Sequence, residues 1–150
     1  MSCPSIAVTA AVAHLLRAAE LSRTATIRRE YVKELTLERL DDEQVLDVRL
    51  YPGPVSGKPL GRQSKQYEVV VKLAFRKKLS GDSNRDIDPW MDYVQEVADY
   101  LSSLENRLLA IDPQATWHGE HWAAPYLPEH LRQFNQFTSV LEVTYVTTRG

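Results

Sequence analysis

The stretch Gln66-Tyr-Glu-Val-Val-Val-Lys-Leu-Ala-Phe-Arg-Lys-Lys-Leu79 constrains the fold of this chain more than any other. Tyr67, Val69, Val71, Leu73 and Phe75 occupy one parity, while Glu68, Lys72 and Arg76 take most of the other. That period of two is the mark of a strand with one face buried. Counted from Tyr67 to Leu79 at about 3.3 Å per residue, the strand spans roughly 43 Å, against about 17–20 Å for a usual one. Such a strand outruns one small core. Either it is bent or shortened by a bulge, or its charged end, Arg76-Lys77-Lys78, leaves the domain and lies where another chain can reach it. The second alternative points to an assembly protein.

The 150 residues are expected to form one domain, residues 1–150, burying about 70% of the surface the unfolded chain exposes. No segment approaches the roughly 18 consecutive apolar residues of a membrane span, so a soluble chain with no membrane contact is expected. Residues 6–19 are apolar, but nothing positively charged precedes them and His14 and Arg17 interrupt the run, so no export signal is expected. Cys3 is the only cysteine, which excludes a disulfide framework and a cysteine metal site and agrees with assembly in a reducing cytoplasm. The net charge of −2 offers no overall attraction to nucleic acid, so any such contact must come from a local patch.

Taken in order, Ser5 or Thr9 can cap a first helix in which Ile6, Val12, Leu15, Leu16 and Ala19 share a face, ending at residues 20–22. Residues 24–35 are rich in β-branched and aromatic types and are predicted as a strand with Ile27, Tyr31 and Val32 inward. Residues 37–44 are charged and turn-like. After them Leu46, Val48 and Leu50 alternate with Asp47, Arg49 and Tyr51 as a second strand. Residues 52–65 hold three prolines and three glycines, through which neither a helix nor a paired strand is expected to run. A long loop follows from this, either a solvated mobile hairpin tip or a segment that orders against a neighbouring subunit.

Asp88 as N-cap with Pro89 at the first helical position predicts the start of an amphipathic helix. Its apolar stripe is Met91, Val94, Val97, Ala98, Leu101, Leu104 and Leu108, and Asp112-Pro113 ends it. Residues 115–123 read as a short strand, residues 129–134 as at most one helical turn, and residues 137–147 as a closing strand. The expected fold is α+β, a mainly antiparallel sheet of about four to five strands with two amphipathic helices packed on one face. The other face, with Arg49, Glu68, Lys72 and Glu142, would be polar or would meet another chain.

Catalytic patterns are missing from this sequence. His118, His121 and His130 lie near Glu120 and Glu129, but no pair stands at helical i, i+4 spacing, and an extended segment turns His118 and His121 to opposite faces. Polar loop residues beside two tryptophans are the simpler account, so no metal and no cofactor are expected. No hydroxyl sits in a nucleophile elbow and no glycine-rich phosphate loop follows a strand. An enzyme is therefore not expected. Positive charge concentrates in Arg76, Lys77 and Lys78 together with Lys58, Arg62 and Lys65 of the preceding loop, at ends of the same strand pair. These six either form a solvated face that discourages aggregation or touch a phosphate backbone or an acidic partner surface in a salt-sensitive way.

The alanine-rich first helix, the strand 66–79 followed by a capped amphipathic helix, and the ending Leu127-Pro-Glu-His-Leu-Arg-Gln-Phe-Asn-Gln-Phe-Thr-Ser-Val-Leu-Glu-Val-Thr-Tyr145 resemble the tail terminator and neck proteins of long-tailed bacteriophages and prophages. The resemblance covers nearly the whole chain and rests on element order rather than on an invariant motif. It implies a structural virion protein, a homo-oligomeric ring, by this likeness a hexamer, that caps the finished tail tube, stops its polymerisation and meets the head connector. It implies as partners the tail tube protein, a connector or neck protein and, non-specifically, DNA in the channel, with assembly in the host cytoplasm. A connector-side adaptor and, more remotely, a tail assembly chaperone that stays out of the virion share the same general pattern. In such a ring the loop 52–65 and the strand end Arg76-Lys77-Lys78 would make the subunit contact or line the channel.

Overall fold

The alternation centred on Val71 forms a strand that is paired on both sides for nearly its whole length. In the computed structural model, which describes residues 3–31 and 46–149, the elements run α1 (Pro4–Arg17), β1 (Thr26–Arg29), β2 (Leu46–Pro59), β3 (Lys65–Lys78), α2 (Asn84–Ser102), β4 (Leu108–Leu109), β5 (Ala115–Ala124), α3 (Pro128–Phe134) and β6 (Gln136–Arg149). They make one six-stranded sheet in the order β1-β2-β3-β6-β5-β4. The class is α+β, but the sheet exceeds the expected four to five strands because β4 is only two residues long, too short to show a period. β1 also departs from the expected antiparallel pairing, since it lies parallel to β2. Parallel neighbours need a returning connection of a dozen or more residues, a length that residues 30–45 supply. The expected turn at 37–44 and the inward Val32 lie outside the described residues.

The odd-numbered side chains of β3 from Val69 to Phe75 fill the core. Val69, Val71, Leu73 and Phe75 are all buried, and across the ladders they meet Val48, Leu50, Leu141, Val143 and Tyr145 from β2 and β6. α1 and α2 cover this face, as two amphipathic helices were expected to do. The T-shaped contact of Phe75 with Tyr93, centroids 6.1 Å apart, pins α2 to the sheet.

Both helices differ from expectation in their starts and faces. α1 begins at Pro4 with Cys3 at the N-cap position and no side-chain cap, so Ser5 and Thr9 are not caps but buried residues beside Val8, Val12, Ala13 and Leu16. Ile6, expected inward, is 40% exposed. Alanines on every side of this helix leave its apolar stripe ambiguous, and the sheet selects one face. α2 begins at Asn84, a turn earlier than the expected start, because Ser83 and Asp86 form a capping box: Ser83 N–H donates to Asp86 Oδ2 at 3.2 Å, and Ser83 Oγ donates to the same oxygen at 2.6 Å. Pro89 therefore sits inside the helix, where it forgoes one intrahelical hydrogen bond. The helix stops at Ser102, so Leu104 is 83% exposed and Leu108 belongs to β4, while Tyr93 joins the buried face instead.

The expected loop at 52–65 is the largest correction. β2 continues through it, paired with β3 as far as Pro59↔Lys65, and only residues 60–64 turn. The register breaks between Pro52 and Val55, so a bulge absorbs Gly53 and Pro54. Beyond Leu50 the outer side of β2 is no longer paired with β1, and a proline on a free edge costs the ladder little. Gly57 lies under the Tyr67 ring, where a Cβ would stand 3.0 Å from Cε1.

Two outcomes follow. Leu73→Ala should cost about 2–5 kcal/mol in denaturant unfolding, since Leu73 is wholly buried between the helices and the sheet. Burial, helped by Glu96, pushes the Tyr93 phenol up to about 12. The unfolded chain then releases this proton first, so stability is whole below about pH 10 and falls as pH rises toward 12. Tyr93→Phe should make that alkaline loss shallower in unfolding curves taken across the window.

Candidate interaction arm and charged sheet face

The paired hairpin of β2 and β3 projects as an arm. Residues 54–63 are all exposed, including Val55 at 45% and Leu60 at 52%, and the turn is closed by Leu60 N–H donating to Ser64 O at 2.9 Å. β6 accompanies the arm on its inner side up to Lys65↔Arg149. On its outer side the pairing of β2 with β1 ends at Leu50, where Glu30 N–H donates to Leu50 O at 2.9 Å, and among the described residues no strand pairs with that side further on. Edge strands invite pairing by another chain, and Pro52, Pro54 and Pro59, which carry no N–H, reduce the donors this edge can offer.

Lys58, Arg62 and Lys65 lie on this arm, and no acidic residue occurs from Pro52 to Tyr67. All three are exposed, and among the described residues none is held in an ion pair. Arg149, opposite Lys65 on β6, adds a cation that only the strand register could reveal. Arg76, Lys77 and Lys78 are elsewhere. They sit at the other end of β3, about 36 Å from Lys65 at 3.3 Å per residue. The six candidates are thus two groups rather than one patch, and the end of the strand that leaves the core is the Lys65 end.

Arg76 is 3% exposed and its charge is used within the sheet. Its Nε and Nη2 donate to Asp47 Oδ2 at 3.0 and 2.7 Å, directly across the β2–β3 ladder. Asp47 Oδ1 accepts from Arg28 Nη2 at 2.9 Å, so one buried carboxylate ties β1, β2 and β3 together. Glu30 extends the network to Arg28 at 3.2 Å and Arg49 at 3.3 Å. A buried pair of this kind contributes specificity of register more surely than net stability. Lys77 Nζ donates to Lys78 O at 3.2 Å and lies 5.5 Å from the Trp90 ring centroid, with the Arg23 guanidinium 4.8 Å from the same ring.

α3 packs on this charged face beside β6, a seven-residue helix where one turn at most was expected. His130 Nδ1 lies 2.7 Å from Thr138 Oγ1, and burial, with Arg76 adding to it and Glu129 opposing, holds the imidazole below its usual range. The histidines weighed as metal ligands are dispersed: His118 occupies a bulge in β5, His121 stands opposite Glu142, and His130 is on α3. Among the described residues no group of three or more His, Cys, Asp or Glu could hold a metal ion, and no helix is long and apolar enough to cross a membrane.

Asp47→Ala removes the carboxylate that binds both Arg76 and Arg28 and should cost about 3–5 kcal/mol in denaturant unfolding. Lys58→Ala and Arg62→Ala, on the exposed arm, should stay within about 0.5 kcal/mol of the parent protein.

No protein-family model matches this sequence, and comparison with curated proteins finds no match.

Proposed function

We propose that this chain is a structural protein of a long-tailed bacteriophage or prophage, a tail terminator that forms a hexameric ring on the head-proximal end of the tail tube. The ring ends polymerisation of the tube and joins the tail to the head. The resemblance in element order motivates this proposal, and the observation that carries it is the β2–β3 arm: an exposed, paired, cationic hairpin that runs on beyond β1 and whose outer edge is unpaired among the described residues. A closed ring needs heterologous contacts, in which one surface meets a different surface on the next copy, and it consumes edges that a monomer would leave open.

The mechanism is steric and adhesive. A ring seated on the tube end covers the surface to which the next tube subunit would add, and its opposite face meets the head connector. Lys58, Arg62 and Lys65, on the arm, also suit a non-specific, salt-sensitive contact with DNA if the arm borders the channel. The assembled protein would reside in the virion neck after assembly in the host cytoplasm.

In cells producing the particles, removal of this chain should yield tails of uncontrolled length that do not join heads, and electron microscopy of the purified protein should show six-membered rings. Tails of normal length attached to heads would overturn the proposal. A ring of twelve would instead indicate a connector-side adaptor, and exclusion of the chain from purified virions a tail assembly chaperone.

A further inference from the structure

An apolar groove of about 660 Å³ runs between the outer side of α1 and the β4 edge of the sheet. Ala7, Ala11 and Leu15 form one wall, and Leu108, Ala110 and Ile111 the other. Leu108 is 48% exposed although it is a strand residue, and β4 has no partner on its outer side among the described residues. Glu105 and Asp112 stand at this groove, both exposed, and neither makes an ion pair among the described residues.

The arm has the complementary composition. It offers two exposed aliphatic side chains, Val55 and Leu60, beside Lys58, Arg62 and Lys65, with no acidic residue from Pro52 to Tyr67. The strand register also places arm and groove at the same level of the sheet. Gly57, Tyr67, Thr147, Ala115 and Leu109 form one continuous row across β2, β3, β6, β5 and β4. Four strand spacings separate the ends of that row by about 19 Å, so the arm and the groove lie on opposite lateral edges of one copy. Two complementary surfaces on opposite edges, at one level, are the requirement for a head-to-tail repeat.

We infer that the arm of one copy docks in the α1/β4 groove of the next, Leu60 and Val55 against the apolar walls and Lys58 and Arg62 against Glu105 and Asp112. The occupant is a second copy of this chain. The inference rests on the ring proposed above and specifies its subunit contact.

Charge reversal tests it with the whole chain. One variant carries Lys58→Glu and Arg62→Glu, the other Glu105→Lys and Asp112→Lys, and self-association is followed by sedimentation velocity and native mass measurement. Each variant alone should associate at least tenfold more weakly than the parent, because its arm and groove now carry the same sign. Mixed in equal amounts they should re-form the parent assembly, with the two variants alternating around a ring of even number. That restoration separates a lost contact from a lost fold. A parent protein that stays monomeric at every concentration, variants that assemble as the parent does, or a mixture that stays dissociated would overturn the docking. Rings that persist in both variants would leave the ring proposal standing without this contact. Restored association beside tails of normal length in particles lacking the protein would keep the docking and overturn the terminator function.

Discussion

Two hydrogen-bonded ladders meet in β3, one to β2 and one to β6, and each runs from Lys65 to Lys78 or nearly so. Every other element takes its place from that double pairing. With both sides of β3 committed, its odd residues must supply one continuous apolar face, and α1 and α2 settle on it because Val69, Val71, Leu73 and Phe75 have no other way to leave water. The β2–β3 ladder also carries β2 past its pairing with β1, so the arm is a consequence of strand length rather than an added loop.

The two faces of the sheet are held by different forces. Burial of apolar area holds the helix-covered face. On the other, Asp47 gathers Arg28 and Arg76 from the neighbouring strands, and Glu30 and Arg49 continue the network. A slip of one residue between β2 and β3 would bring Asp47 opposite a residue of the apolar parity and place Arg76 against an aliphatic side chain. The ion pairs therefore fix the register that the apolar face alone leaves less sharply defined.

Local pattern was legible where a period persisted. The strands at 46–51, 66–79 and 137–147, the short strand at 115–123 and the body of α2 all follow from alternation or from an apolar stripe. It failed where an isolated residue was given more weight than its surroundings. Pro52, Pro54 and Pro59 suggested a loop, yet their cost depends on whether a partner strand lies on their outer side. Pro89 suggested a helix start, yet the Ser83–Asp86 capping box lies a turn before it. The run at 76–78 was misleading for a related reason: neighbours in sequence read as one solvated stretch, but Arg76 shares the parity of Asp47 and is turned into the ion-pair network.

From the sequence alone came the α+β class, the long central strand with its buried parity, and the two helices that cover it, because each depends on a periodicity that a few neighbouring residues carry. Only the tertiary structure decided which end of that strand projects, which cations remain exposed, and that β1 runs parallel to β2. Those outcomes depend on strand order and register, which are set by pairings between residues far apart in the chain. The level row from Gly57 to Leu109, which puts the arm and the groove on opposite edges, is of this second kind: it involves five strands, and no segment of the sequence contains it.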